Sequence, residues 1–303
     1  MRVFLTGASG YAGFYAGLRL AAAGHTVVGI VRHPEQPRLE ELRKHEIKLI
    51  HGDVAQPETY LAELETCDAV VHTMLDKKNH FSTDRAFFGA LESLSPRKVR
   101  RRLVYTTGVS IIGKVAVPLL DETIEPNPQQ KISFRRDLEK EAFALKNVST
   151  MVLRPGFIFG NDGFNSISTD WFAQAEQGDS TFRGDTEKGW SWIHVDDLAE
   201  AYRLAVEADE SVVNGEIFDI VDENRPLCRD VMRKCLDAAG FKDEIAFAEP
   251  VKGDNISMWF DQSAFSSSKK ARERLGWASR HDGVLESVDR LFGAWKAAQA
   301  LAN

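Results

Sequence analysis

The chain has 303 residues, 43% hydrophobic and 27% charged, with a net charge of −7. This length admits one large core plus a smaller lobe, and the acidic balance argues against a nucleic-acid or anionic-membrane partner. Three scattered cysteines (Cys67, Cys228, Cys235) exclude a disulfide framework or a paired-Cys zinc site and fit a reducing, cytoplasmic setting.

In chain order, short β-rich runs alternate with helical stretches. Strands are predicted at 2–6, 26–31, 47–51, 69–74 and 102–107, with helices at 11–23, from Pro57-Glu58 onward, and around 84–94. The basic run PRKVRRR (96–102) leads straight into Leu103-Val104-Tyr105 and reads as a solvated loop entering a buried strand. A Pro-rich loop over 117–128 precedes an amphipathic helix with Phe134, Leu138, Ala142 and Leu145 as its apolar stripe. Ser133, Asp137 and Glu141 form a neighbouring polar line on that helix. A strand at 150–153 ends in Arg154-Pro155-Gly156.

Beyond Gly160 the rhythm changes. A helix at 169–177 and polar loops come first, then strands at 190–195 and 215–221 around a helix at 197–208 that Asp196 is placed to cap. Helices follow at 227–239, 269–275 and 284–300. No apolar run approaches the roughly 20 residues of a membrane span. The eight histidines are not at metal-ligand spacing, so no metal is expected. The expected fold class is α/β, a Rossmann-type doubly wound parallel sheet with a smaller C-terminal substrate lobe. Residues 1–160 plus 190–221 are assigned to the sheet domain, and 161–189 plus 222–303 to the lobe.

The strongest motif is VFLTGASGYAG (3–13), which follows a strand and opens a helix. Gly7 permits the turn, Gly10 lets a pyrophosphate approach the backbone, and Gly13 lets helix and strand pack closely. Ser9, Tyr11 and Ala12 complete the loop at the helix N-terminus, where free N–H groups attract phosphate. The second strand ends in Val31 rather than an acid, and Arg32 follows. A guanidinium there matches a 2′-phosphate in charge and geometry, so NADP(H) is favoured over NAD(H). Asp53, ending the third strand, is placed to accept from an adenine amino group.

These residues resemble the extended short-chain dehydrogenase/reductase family and, within it, the nucleotide-sugar epimerase/dehydratase-like group. The matching pieces are TGASGYAG (6–13), GDV (52–54), VVHTM (70–74), LVYTTGVSIIG (103–113), LRPGFIFG (153–160), WSWIHVDDLAEAY (190–202) and LGW (275–277). The resemblance implies about seven parallel strands, a nicotinamide near Arg154–Ile158, and a small-molecule substrate or effector under the lobe. It extends the cofactor contacts to Val54, Thr73, Met74, Thr106, Pro155, Gly156, Phe157 and Ile158. It also suggests a homodimer through the helices near 84–94 and 133–146.

That family normally uses a Ser or Thr with Tyr-x-x-x-Lys, because a carbinol oxygen needs a partner to take or give its proton. Here the tyrosines are 11, 15, 60, 105 and 202, and the residues four further on are Tyr15, Arg19, Leu64, Val109 and Val206. No Tyr-x-x-x-Lys exists. Alignment on Glu139 and Glu141 puts Ser133 at the Tyr position and Asp137 at the Lys position, while Gly108, beside Thr107, takes the Ser/Thr position. An atypical branch of the family, with Thr-(Ser/Thr)-Gly-Val and an Arg-containing segment, is similar, and DQSAFSSSKKARERLGW (261–277) fits it too. Ser110-x-x-x-Lys114 straddles a strand end and loop with no helix to align a nucleophile pair, and no G-x-S-x-G supports a hydrolase.

Three readings stay open. One is an oxidoreductase or epimerase-type enzyme on a small polar carbonyl, alcohol or sugar-like compound. Its proton partner would be Thr107, Ser110, Ser133, His80, an Arg of the 135–136 pair, or water. The second is a dinucleotide-binding regulator or redox sensor without turnover, and the third a lyase or isomerase with a structural cofactor.

Overall fold

The computed structural model describes residues 1–76, 79–115, 117–127, 132, 134–164, 166–251 and 260–302. Its centre is a seven-stranded, wholly parallel sheet. In chain order the first half gives β1 (Arg2–Thr6), α1 (Tyr11–Ala22), β2 (Thr26–Val31), α2 (Leu39–Lys44), β3 (Lys48–His51), α3 (Leu61–Thr66), β4 (Ala69–His72), α4 (His80–Ser93) and β5 (Arg101–Thr106). Then come α5 (Phe134–Phe143), β6 (Val148–Pro155), β7 (Phe157–Phe159), α6 (Ile167–Glu176), β8 (Thr181–Arg183), β9 (Trp192–His194), α7 (Val195–Glu207), α8 (Glu210–Val213) and β10 (Ile217–Ile220). The chain closes with α9 (Cys228–Ala238), β11 (Ala246–Ala248), α10 (Lys269–Leu275) and α11 (Val284–Ala302).

The sheet order is β10-β6-β5-β4-β1-β2-β3. Alternate residues of one strand feed opposite cores, which is why the strands read as unbroken apolar runs. In β1, Val3 and Leu5 pack under α1 and α7 with Phe14, Leu198 and Tyr202, whereas Phe4 packs under α3 and α4 with Leu64 and Phe87. A third core, holding Phe172, Trp190, Met232 and Trp295, joins α6, α9 and α11 outside the sheet. No described helix is long and apolar enough to cross a membrane.

Several expected boundaries move. The strand expected at 190–195 is only Trp192–His194, and it pairs with β7 in a separate two-stranded sheet. Helix α7 begins at Val195, and its cap is His194 rather than Asp196: the imidazole Nδ1 accepts the Asp196 N–H at 3.2 Å. Helix α4 starts at His80, four residues earlier than expected. The short segments α2, β7, β8, α8 and β11 lacked a pattern long enough to read.

Candidate active site

At the end of β1 the chain turns through Gly7, whose φ of +71° lies in the left-handed region that glycine tolerates. The Gly10 N–H donates to the Gly7 carbonyl at 2.8 Å, and α1 begins at once. A Cβ on Gly13 would lie 2.2 Å from that carbonyl oxygen and 2.6 Å from Thr73 Oγ1, so only hydrogen lets the helix sit this close to the strand. No side chain caps Gly10, leaving the first-turn N–H groups without a side-chain acceptor. Such a cradle, with a positive helix end and no side chain in the way, fits a dinucleotide pyrophosphate. Arg32, one residue beyond β2, is exposed and has no ion-pair partner among the described residues. Asp53 is half-buried, and its Oδ1 accepts the Ala55 N–H at 2.9 Å.

A cavity of about 630 Å³ opens between this cradle and the lobe. Gly10, Tyr11 and Thr73 form its cradle side, Thr107, Gly108 and Ser110 its floor, and Pro155, Gly156, Phe157 and Ile158 its far wall. The structure thus brings together the β1, β4, β5 and β6 strand ends, at the carboxyl edge where parallel sheets bind ligands. A larger cleft of about 790 Å³ lies at the opposite end of the strands. There Arg97, Arg100 and Arg102 are already engaged, with Cys67 O, Glu210 and Val206 O respectively, which leaves little for a ligand.

The floor rests on a buried ion pair. Thr107 Oγ1 donates to Glu139 Oε1 at 2.5 Å, and Arg154 donates to both Glu139 oxygens, at 3.0 and 2.5 Å. Burial opposes the Arg154 charge, but the Glu139 carboxylate outweighs it and raises the Arg154 pKa. Beyond lies Asp219, fully buried, whose Oδ2 accepts from Ser266. Burial, with Glu122 nearby, pushes Asp219 up to about 7 despite Arg154. Ser110 is half-buried, and its hydroxyl has no hydrogen-bond partner among the described residues. Lys114 is exposed and turned to solvent.

The phase of α5 differs from the polar line read in the sequence. Asp137 is exposed and pairs with its neighbour Arg136, while Glu141 pairs with Arg85 on α4. The polar residues that face the strand ends are Arg135 and Glu139, one turn apart. Arg135 Nη2 donates to the Thr106 carbonyl at 3.0 Å, and Glu139 is buried against Arg154. Among the described residues of α5, the cation nearest the floor is Arg135, two residues before Asp137. Ser133 lies outside the described residues. For His80 only the backbone, at the start of α4, is described; its side chain lies outside.

None of the five tyrosines is tuned to act as an acid. Tyr11 borders the cavity, but its hydroxyl donates to the Gly160 carbonyl at 2.5 Å, and burial raises its pKa far above the ordinary value. Tyr15 is pushed up to about 12 by burial and Asp162. Tyr105 donates to buried Asp84 at 2.7 Å, Tyr202 meets Thr106 Oγ1 at 2.9 Å, and Tyr60 donates to the Val54 carbonyl; burial raises all three. The Thr106 hydroxyl is thus turned away from the cavity.

One cluster was invisible in the spacing of the histidines. His194, Asp196 and His281 place ligand-capable atoms within 4.8 Å of one another. The two rings stack face to face, 3.8 Å between centroids and 6° between planes. Imidazole lone pairs lie in the ring plane, so binding one ion to both would require a ring to turn. Burial and the neighbouring His281 lower His194 to about 4.

Related chains and solved structures share this fold. An uncharacterised protein of Saccharomyces cerevisiae is 27% identical over 302 residues, covering 95% of this chain and 98% of that protein. A UDP-glucose 4-epimerase of Corynebacterium glutamicum is 24% identical, covering 100% and 97%. The crystal structure of UDP-glucose 4-epimerase from Bifidobacterium longum in complex with NAD+ and UDP superposes with a TM-score of 0.80 at 15% identity, covering 99% of each chain. The NAD dependent epimerase/dehydratase family matches residues 3–220, well over half the chain, and includes the glycine cradle and all seven strands of the central sheet. The protein belongs to the NAD dependent epimerase/dehydratase family.

Proposed function

We propose that the protein is an NADP(H)-dependent oxidoreductase that interconverts a carbonyl and its alcohol with a non-standard hydroxyl site. The observation that carries this reading is Ser110: an unpartnered hydroxyl on the floor of a cavity that adjoins the dinucleotide cradle. Gly7, Gly10, Gly13 and the first turn of α1 would hold the pyrophosphate, Asp53 would accept from the adenine amino group, and Arg32 would pair with a 2′-phosphate. When bound, the dinucleotide supplies or accepts the hydride at the carbinol carbon. Ser110 Oγ–H donates to the substrate oxygen. Thr107, whose own proton is committed to Glu139, holds the floor in place. In reduction the carbon gains a hydride and the oxygen a proton, drawn from water through Ser110, which leaves the alcohol. Arg135, beside the Thr106 carbonyl, keeps positive potential under the developing alkoxide. Three free, buried thiols support a reducing, cytoplasmic setting.

The test is oxidation of NADPH by the purified protein against a panel of aldehydes and ketones. Turnover is expected, with Ser110→Ala lowering kcat by about 100-fold. Arg32→Ala should weaken NADPH binding by about tenfold while leaving NADH binding unchanged, on the loss of one charge-assisted contact. Tight NADPH binding with no oxidation across the panel would reject turnover. It would favour a second reading, a dinucleotide-binding regulator, which has one observation behind it: burial raises the pKa of every tyrosine.

A further inference from the structure

The turn between β7 and α6 needs support from outside itself. Gly160, Asn161 and Gly163 have φ of +115°, +50° and +64°, three positive-φ residues within four. A Cβ on Gly160 would lie 2.4 Å from His194 Nε2, so the turn also presses on the end of β9. The Tyr11 hydroxyl donates to the Gly160 carbonyl at 2.5 Å, and Asn161 Nδ2 donates to Asp196 at 2.9 Å. Asp162 receives two elements at once. Its Oδ1 accepts from the Tyr15 hydroxyl at 3.2 Å, and its Oδ2 accepts from Arg38 Nη1 at 2.9 Å. The Arg38 guanidinium lies against two rings, 4.2 Å from the Phe14 centroid and 4.3 Å from that of Phe164. The pair is only partly exposed, so water screens it less than an open surface pair.

The two sides of this turn belong to different jobs. Tyr11, Phe14 and Tyr15 lie on the first turns of α1, the helix whose N-terminus would take the pyrophosphate, and Arg38 immediately precedes α2. On the other side the chain enters α6, where Ile167 lines the cavity and Phe172 packs on Phe292 and Trp295 in the core of the lobe. The turn therefore ties the lobe to the elements that would grip the dinucleotide. A ligand that orders the first turns of α1 also orders the tyrosines that hold the turn. By linkage, a held turn favours that ligand by the same factor. We infer that Arg38 and Asp162 are positioning residues that couple dinucleotide binding at α1 to the placement of α6 and of the Ile167 wall. This rests on the proposed dinucleotide site and not on the chemistry at Ser110.

The experiment is hydrogen–deuterium exchange of the purified protein with and without saturating NADP+, read over residues 171–176, the part of α6 turned away from the cradle. In the parent, NADP+ should slow exchange there by about fivefold. Arg38→Ala, Asp162→Ala and the double variant, each with unchanged circular dichroism, should lose that slowing. All three should bind NADP+ and NAD+ about fivefold more weakly than the parent, because a broken pair cannot be broken twice. The inference is overturned if NADP+ binds the parent without slowing α6, a result that needs no variant. It is also overturned if either single variant keeps the slowing, or if the double variant loses the product of the two single effects. Weaker NADP+ binding in Arg38→Ala alone, with Asp162→Ala like the parent, would make Arg38 a phosphate contact and likewise overturn it. Failure to bind either dinucleotide removes this inference and the oxidoreductase reading together. Slowed exchange without NADPH oxidation removes only the oxidoreductase reading.

Discussion

Glu139 and Arg154 form a two-bond ion pair at 2.5 and 3.0 Å, and each side chain is only 3% exposed. Through Thr107 the pair holds the end of β5 against the start of the Arg-Pro-Gly segment. Removing one partner leaves a charge buried without compensation. Glu139→Ala should therefore lower stability by about 3–5 kcal/mol, read as a lower urea midpoint. Glu139→Gln keeps one acceptor oxygen for Arg154 and Thr107 and should recover part of that loss.

Two glycines in the site respond oppositely to an added side chain. A methyl group on Gly13 meets the Gly7 carbonyl oxygen at 2.2 Å, so helix and strand must separate. Gly13→Ala should destabilise by about 1–3 kcal/mol. It should also abolish NADPH binding, followed by the change in nucleotide fluorescence.

Gly108 has an extended backbone, φ 166°, and a Cβ there would sit 3.5 Å from the Pro155 carbonyl oxygen, an ordinary contact. Gly108→Ser should fold with stability within about 1 kcal/mol of the parent, as a thermal melt would show. The other contact of that Cβ, with Ser110 Oγ at 3.8 Å, is also ordinary.

The buried Asp219 should leave a mark on the pH dependence of stability. Its folded pKa is about 7 against an ordinary 3.8, because burial and Glu122 disfavour the charge. Between about pH 4 and pH 7 the folded state holds a proton that the unfolded chain has released. Its contribution is fully present below about pH 4 and is lost as pH rises through 7. Asp219→Asn removes this dependence, so the variant should gain on the parent by on the order of 4 kcal/mol between pH 4 and pH 8. Asp222, also near 7, tilts the curve the same way, and His194, near 4, tilts it the other way. The measurement is therefore the difference between variant and parent melts across pH, in which those shared terms cancel.

At the opposite sign, Glu200 is lowered to about 2 by hydrogen bonds from Arg203 and Arg19, against some burial. Its contribution is present above the unfolded value near 4.5 and is lost as pH falls through 2. Glu200→Gln should cost about 1–2 kcal/mol at pH 7 and little at pH 2, read by chemical denaturation at the two values.

What the sequence determined by itself was everything carried by local repetition. Turn and packing needs at Gly7 and Gly13, the apolar runs of the strands, and the missing Tyr-x-x-x-Lys are all properties of neighbours in the chain. Helix α2 escaped because six residues with two buried leucines make less than two turns, too few to show a period. The inward face of α5 escaped for a different reason. Its apolar stripe fixed that the helix packs, but Arg135 and Glu139 are drawn inward by partners on β5 and β6, which the helix's own residues do not announce. The His194–His281 stack and the Phe157–Trp190–Phe260 wall join residues far apart in sequence. Tertiary structure alone decided those, because burial, charge pairing and ring contact depend on which distant segments share a space, and no periodicity within one segment encodes that.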